Sequence, residues 1–148
     1  MKKIIGCGNL LQKDEGVGVH LIKYLEKTAL PDDVELVDAA CDGFNIMPHL
    51  DNASKVVIVD AMQSGGEPGA IYKFGLDDFT TDPSHVTSLH EITLRDVLLL
   101  SRKLAPLPPV VIFGVEPEKV EWGMELTPEL EKTLPRLAEM VIKEIKNA

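Results

Sequence analysis

Four short runs of the chain are rich in apolar and β-branched residues: 3–8, 34–38, 55–61 and 109–115. Three of them are nearly continuous in apolar residues, the pattern of strands buried on both faces of a parallel sheet. A weaker run at residues 70–74 follows Gly65-Gly66-Glu67-Pro68-Gly69. The loop before it is too short for a crossover helix, so it is expected at a sheet edge, running antiparallel.

Helical spacing alternates with these strands. From about 16 to 29, Val17, Leu21, Ile22 and Leu25 share one face. A shorter helix is expected near residues 44–50. A third starts at Ser88-Leu89-His90-Glu91, an S-x-x-E capping box, and continues through Leu94, Val97 and Leu98 to about 103. The fourth spans about 128–146, with Leu130, Leu134, Leu137, Val141 and Ile145 on one stripe. Thr127 stands at its N-cap, followed by Pro128 at the first helical position. Residues 76–87, Asp-rich and containing Pro83, read as the longest loop.

The order β-α-β-α-β-β-α-β-α implies an α/β fold, a three-layer αβα sandwich around a mostly parallel, twisted five-stranded sheet. At 148 residues the chain is the size of one domain, 1–148, large enough to fold without a disulfide or metal staple. No repeat or linker interrupts it.

Charge narrows the partners. With 24 acidic and 15 basic side chains, the formal net charge is −9, which argues against nucleic acid and anionic membranes. No apolar run is long enough for a membrane span, and the apolar start is cut short by Gln12-Lys13-Asp14-Glu15, so no signal peptide is expected. The cytoplasm is the expected compartment, where Cys7 and Cys41 stay reduced. Without a CxxC pair there is no zinc ribbon or thioredoxin motif.

In an open parallel sheet, ligands bind outside the carboxyl ends of the strands. Asn9, Asp14 and Glu15 follow the first strand, Asp38 ends the second, Asp60 ends the third, and Glu116 follows the last. His90 belongs to the first turn of the third helix. Acids crowded on one rim are costly unless a cation, a proton or hydrogen bonds compensate them. Glu15, Asp60 and His90 would suit a borderline divalent ion such as zinc or nickel, with positions left open for substrate. The structural alternatives stand beside this reading: Asp14 or Glu15 stabilising a helix N-terminus, Asp60 capping a loop, His90 making a local hydrogen bond.

Gly6-Cys7-Gly8 begins like a dinucleotide fingerprint, but Leu11 occupies the third glycine position. Gly16 and Gly18 are instead expected to allow close helix–strand packing. No G-x-S-x-G elbow exists. Cys7 reads as a small buried hydrophobe. Cys41, three residues after Asp38, falls near the same rim. His20, His49 and His85 read as surface residues, and Trp122 as a packing anchor or a partner contact.

Five ordered blocks, Gly6-Cys7-Gly8-Asn9-Leu10 with Asp14-Glu15-Gly16-Val17-Gly18, Val59-Asp60-Ala61 with Pro68-Gly69, Ser88-Leu89-His90, Gly114-Val115-Glu116-Pro117, and Trp122 with Leu126-Thr127-Pro128, together resemble the [NiFe]-hydrogenase maturation endopeptidases, with a phosphorylase/hydrolase-like fold. The resemblance implies a peptidase of aspartic type that removes a C-terminal extension from the hydrogenase large-subunit precursor after nickel insertion. It implies that Glu15, Asp60 and His90 hold a metal, the nickel of the precursor, and that zinc or cadmium can take its place. Asp38 is the candidate to activate water or orient the backbone. A monomer suits an enzyme that docks a large precursor. One block departs: Ala39-Ala40-Cys41-Asp42-Gly43 stands where the family has a glycine-threonine element after the aspartate. A non-cleaving metal-sensing chaperone and a small-molecule hydrolase on the same fold are the competing expectations.

Overall fold

The computed structural model describes residues 1–81 and 94–147, the side chain of Thr81 excepted. Five strands, β1 (Lys2–Gly6), β2 (Val34–Asp38), β3 (Lys55–Ala61), β4 (Ile71–Gly75) and β5 (Val110–Val115), form one sheet in the order β2-β1-β3-β5-β4. All pairs are parallel except β4–β5. The expected mixed sheet with an antiparallel edge strand is therefore present.

Helices α1 (Val17–Leu25), α2 (Met47–Leu50), α3 (Leu76–Thr81), α4 (Leu94–Leu104) and α5 (Pro128–Lys146) cover the sheet. Alternation along the strands divides the core in two. Ile4, Val57, Val59, Phe113 and Val115 pack with α1 and α5. Ile5, Val56, Ile58, Val110 and Ile112 pack with α2, α3 and α4. Because both faces bury apolar side chains, the central strands read as continuous apolar runs.

Several expectations are corrected. Helix α1 ends at Leu25, and the chain leaves it through turns in which Glu26 N–H donates to Ile22 O and Thr28 N–H to Leu25 O. Residues 76–81 form a helix rather than loop. Phe79 is buried and its ring lies 5.9 Å from that of Phe74, while Asp77 and Asp78 favour the helix N-terminus. The expected helix at 44–50 is a 3₁₀ turn, Gly43–Ile46, running into α2. Asp42 caps that turn by accepting the Phe44 N–H at 2.9 Å. The capping box at 88–91 lies outside the described residues.

Gly18 explains how α1 lies so close to the sheet. A Cβ there would stand 2.3 Å from Val59 O and 2.4 Å from Cys7 O, both backbone atoms. Gly18→Ala would gain about 1 kcal/mol of helix propensity, but backbone carbonyls cannot rotate away as side chains do. A net destabilisation of about 2 kcal/mol is expected, read as a lower urea midpoint at unchanged slope. An unchanged midpoint would show that the helix can shift without cost.

The far end of the fold is held by a buried charge. Lys55 Nζ donates to the Glu144 carboxylate at 2.7 Å, to Glu144 O at 2.8 Å and to Asn147 O at 3.1 Å. It thereby satisfies carbonyls at the C-terminus of α5. Lys73 pairs with the other Glu144 oxygen. Hydrogen bonds from Lys55 and Lys73 hold the Glu144 carboxyl below its ordinary value of 4.5. A carboxyl depressed on folding adds stability above its unfolded pKa and loses it as pH falls through the folded one. The melting-temperature gap between wild type and Glu144→Gln should therefore shrink as pH drops below about 4.5. A gap that stays constant to pH 3 would mean that the charge contributes nothing.

Candidate functional site

The strand order reverses at β1: its connection to β2 runs to one side, and β3 lies on the other. In such sheets the crevice beyond the strand ends at that point is where ligands bind. Gly6 is in register with Asp38 on β2 and with Val59 on β3, and Cys7 N–H donates to Val59 O at 2.9 Å. Asp38 and Asp60 therefore flank Cys7, with the backbones of β2 and β3 about 10 Å apart across two sheet spacings.

Glu15 reaches the same place by another route. It belongs to the 3₁₀ turn Lys13–Gly16 and is buried. Gly8 seats that turn. Its φ is +135°, and a Cβ there would stand 2.0 Å from Glu15 O, so only glycine permits this approach.

These acids act electrostatically on one another and on Cys7. The Cys7 thiol is pushed well up by burial, then by the carboxylates of Asp60, Asp38 and Glu15. It stays protonated and is a poor nucleophile. The Asp60 carboxyl is also pushed well up, first by burial and then by Glu15, against the opposing Ala61 N–H that it accepts at 2.8 Å. Asp38 is exposed at the rim. Its Oδ1 accepts the Ala40 N–H at 2.8 Å, which helps to hold Ala40 at φ +52°. The same loop is pinned to the end of β1 by the Gly8 N–H, which donates to Ala40 O at 2.7 Å. Ala40 thus takes a left-handed conformation that glycine adopts without cost.

A depression beside these acids is lined by Cys7, Gly8, Cys41, Asp60 and Leu94, among others. Exposed Cys41 therefore does fall on the predicted rim. Among the described residues, no three His, Cys, Asp or Glu side chains group tightly enough to hold a metal. His90, the third member of the expected set, lies outside the described residues, as does His85. His49 is half-buried. His20 is not a plain surface residue: its Nε2 is buried without a hydrogen-bond partner.

Two other acids of the rim turn out to be structural. Asp14 is fully buried. It accepts N–H groups from Glu118, Lys119 and Thr127 at 2.8, 3.0 and 2.8 Å, and the Thr127 hydroxyl at 2.8 Å. Thr127 occupies the N-cap of α5 as expected, but its side chain serves Asp14 instead of the helix. Glu116 accepts Ser64 N–H, Gly66 N–H and the Tyr72 hydroxyl through Oε1, at 2.9, 3.0 and 2.7 Å. Burial and then this bond push the Tyr72 hydroxyl up to about 12. Asp14 and Glu116 fix the loops after β5 and β3, so two acids are withdrawn from any chemistry at the rim.

The hydrogenase maturation protease family model, HycI, matches residues 19–144. The chain belongs to the hydrogenase maturation protease family. It is 32% identical to a putative hydrogenase maturation protease of Methanocaldococcus jannaschii, over 97% of this chain and 95% of that protein. It is 29% identical to the hydrogenase 2 maturation protease of Escherichia coli, over 98% and 90% of the two chains. The solved structure of the hydrogenase maturating endopeptidase HybD from E. coli superposes with a TM-score of 0.85, covering 98% of this chain and 91% of that one. A second structure, the maturation protease HycI from Thermococcus kodakarensis, shares the fold with a TM-score of 0.81 at 24% identity. The endopeptidase reading therefore stands over the chaperone and the small-molecule hydrolase. No helix among the described residues is long and apolar enough to cross a membrane.

Proposed function

We propose that this chain removes the C-terminal extension of a [NiFe]-hydrogenase large-subunit precursor once nickel has been inserted, with that nickel as the element recognised. The observation that carries the reading is that Asp38 and Asp60 flank Cys7 where the strand order reverses, with Glu15 close enough to raise the Asp60 carboxyl. A divalent cation brought there by the substrate would offset the burial and the Glu15 repulsion that keep the Asp60 carboxyl high. Glu15 and Asp60 are the proposed ligands, with His90 as the third. Zinc or cadmium suits the same donors. Binding through the metal would position the scissile bond, so that proximity supplies much of the rate.

Asp38 is the proposed group that activates water, which would make this an aspartic-type peptidase. It stands exposed beside the pocket, with Oδ1 committed to its own loop, so the other oxygen is the one placed to take a proton. The proposed setting is the cytoplasm, and the enzyme acts as a monomer on a larger precursor.

The test is incubation with the large-subunit precursor, with and without nickel, followed by intact mass. A defined C-terminal loss that requires nickel is the expected result. Tight binding with no change in mass would replace this reading with a metal-sensing chaperone. Cleavage that ignores nickel would remove the metal from recognition.

A further inference from the structure

Trp122, the only tryptophan, is 79% exposed, and beside it Leu11 is 43% and Met124 64% exposed. Tryptophan is seldom so bare in a folded chain, and it does not anchor packing here. Nor does it ride on a loose loop. Lys13 N–H donates to Gly123 O at 2.8 Å, and Gly123 N–H to Leu11 O at 2.9 Å, around a parallel bridge between Gln12 and Gly123. This register sets Leu11 beside Trp122 and Lys13 beside Met124. The Asp14 carboxylate then clamps both ends of the 118–127 segment through Glu118, Lys119 and Thr127. Three large apolar side chains are thus held out to solvent on a backbone already ordered, so docking them costs little further entropy.

The charge around them selects the partner. Glu118, Glu121 and Glu125 are exposed along this segment against a single lysine, Lys119, and Lys13 is engaged by Glu121 at 3.4 Å. A second copy would bring acidic rim against acidic rim on chains of net charge −9, which opposes self-association. A surface complementary to this one is an apolar hollow ringed by lysine and arginine. The patch also lies on the stretch of chain that builds the candidate site, because Leu11 leads into the turn that carries Glu15 and Asp14 of that turn holds the 118–127 segment.

We propose that Leu11, Trp122 and Met124 form the docking surface for the folded body of the hydrogenase precursor, while its C-terminal segment enters the pocket beside Asp60. This rests on the peptidase reading above. Trp122 is the energetic centre, as exposed aromatic anchors are in protein interfaces.

Steady-state cleavage of nickel-loaded precursor tests it. Trp122→Ala should raise KM about 30-fold with kcat unchanged, and the paired Leu11→Ser and Met124→Ser changes should act in the same direction. Raising salt should raise the wild-type KM, since the rim is charged. Protein carrying 5-fluorotryptophan has one fluorine resonance, which should shift when precursor is added. If wild type fails to cut the precursor, the peptidase reading itself falls. If wild type cuts and both variants keep its KM, the docking surface alone is wrong. A fluorine shift driven by protein concentration without precursor would assign the patch to a second copy and overturn the proposal.

Discussion

Replacing Asp60 with asparagine is expected to stop precursor cleavage and, in the same molecule, to make the metal-free protein more stable at neutral pH. The two effects share one cause. Asparagine keeps the shape of the side chain, and its oxygen can still accept the Ala61 N–H that Asp60 Oδ1 accepts now. What it removes is a charge whose carboxyl is pushed well up by burial and by Glu15. For a carboxyl raised on folding, the sign is the reverse of the usual acid. Its contribution to stability is complete below the ordinary value of 3.8 and is lost as pH rises through the folded pKa. At pH 7 the wild type carries that loss and the variant does not, so Asp60→Asn should be the more stable of the two. The gap should close as pH falls below about 4. Cleavage of nickel-loaded precursor should fall at least about 100-fold, because a proposed metal ligand and its charge are gone. Intact-mass time courses and urea melts at pH 4 and pH 7 check both halves. A variant that cuts at the wild-type rate would remove Asp60 from the site, whatever its stability. A variant no more stable at pH 7 would mean that the native site already relieves its charge.

The parts of this arrangement that were legible in the sequence are those written locally. Residues 56–59 and 110–115 are apolar because both sheet faces are covered, and such a run needs no partner to be recognised. The placement of Asp38 and Asp60 follows from strand ends alone. Gly18 was legible as a packing glycine because no fingerprint could use it. The 3₁₀ turn that carries Glu15 was not. Its position depends on Gly8 and on a backbone approach that no spacing rule encodes. The helix at 76–81 was hidden by its acidic residues, and it forms because Phe79 finds Phe74 across the edge of the sheet. Cys7 looked like an ordinary core residue. It is one, yet its thiol feels the charges of Asp60, Asp38 and Glu15. The exposure of Trp122 had no signature, since a lone tryptophan in sequence is equally compatible with a core and with an interface. His90 remains identified by the family resemblance of its block.

The largest stability effect is expected at Asp14, which sits next to Glu15 in sequence but performs no chemistry. Each of its four hydrogen bonds crosses 104 to 113 residues of chain, so no local pattern announces it. Three backbone N–H groups and a hydroxyl point at one carboxylate in a fully buried place. Asp14→Ala leaves those donors without the acceptor that satisfies them, and water has poor access to replace it. Removing the charged partner from a buried network costs about 3–5 kcal/mol, a large share of the stability of a domain this size. Asp14→Asn is the sharper test. Its oxygen can keep the Thr127 N–H, but its amide would turn two hydrogens toward the Glu118 and Lys119 donors that Oδ2 accepts. The asparagine variant should therefore remain destabilised by about 2 kcal/mol or more despite its matching shape. Chemical denaturation at neutral pH measures both variants. If the asparagine variant matches wild type, the charge is dispensable and a rearranged network suffices. If it is destabilised as expected, the turn carrying Glu15 and the ladder carrying Leu11 and Trp122 should loosen together. Hydrogen exchange at Lys13 and Gly123 should then rise in the same variant, because their N–H groups close the ladder that leads into the Asp14 clamp.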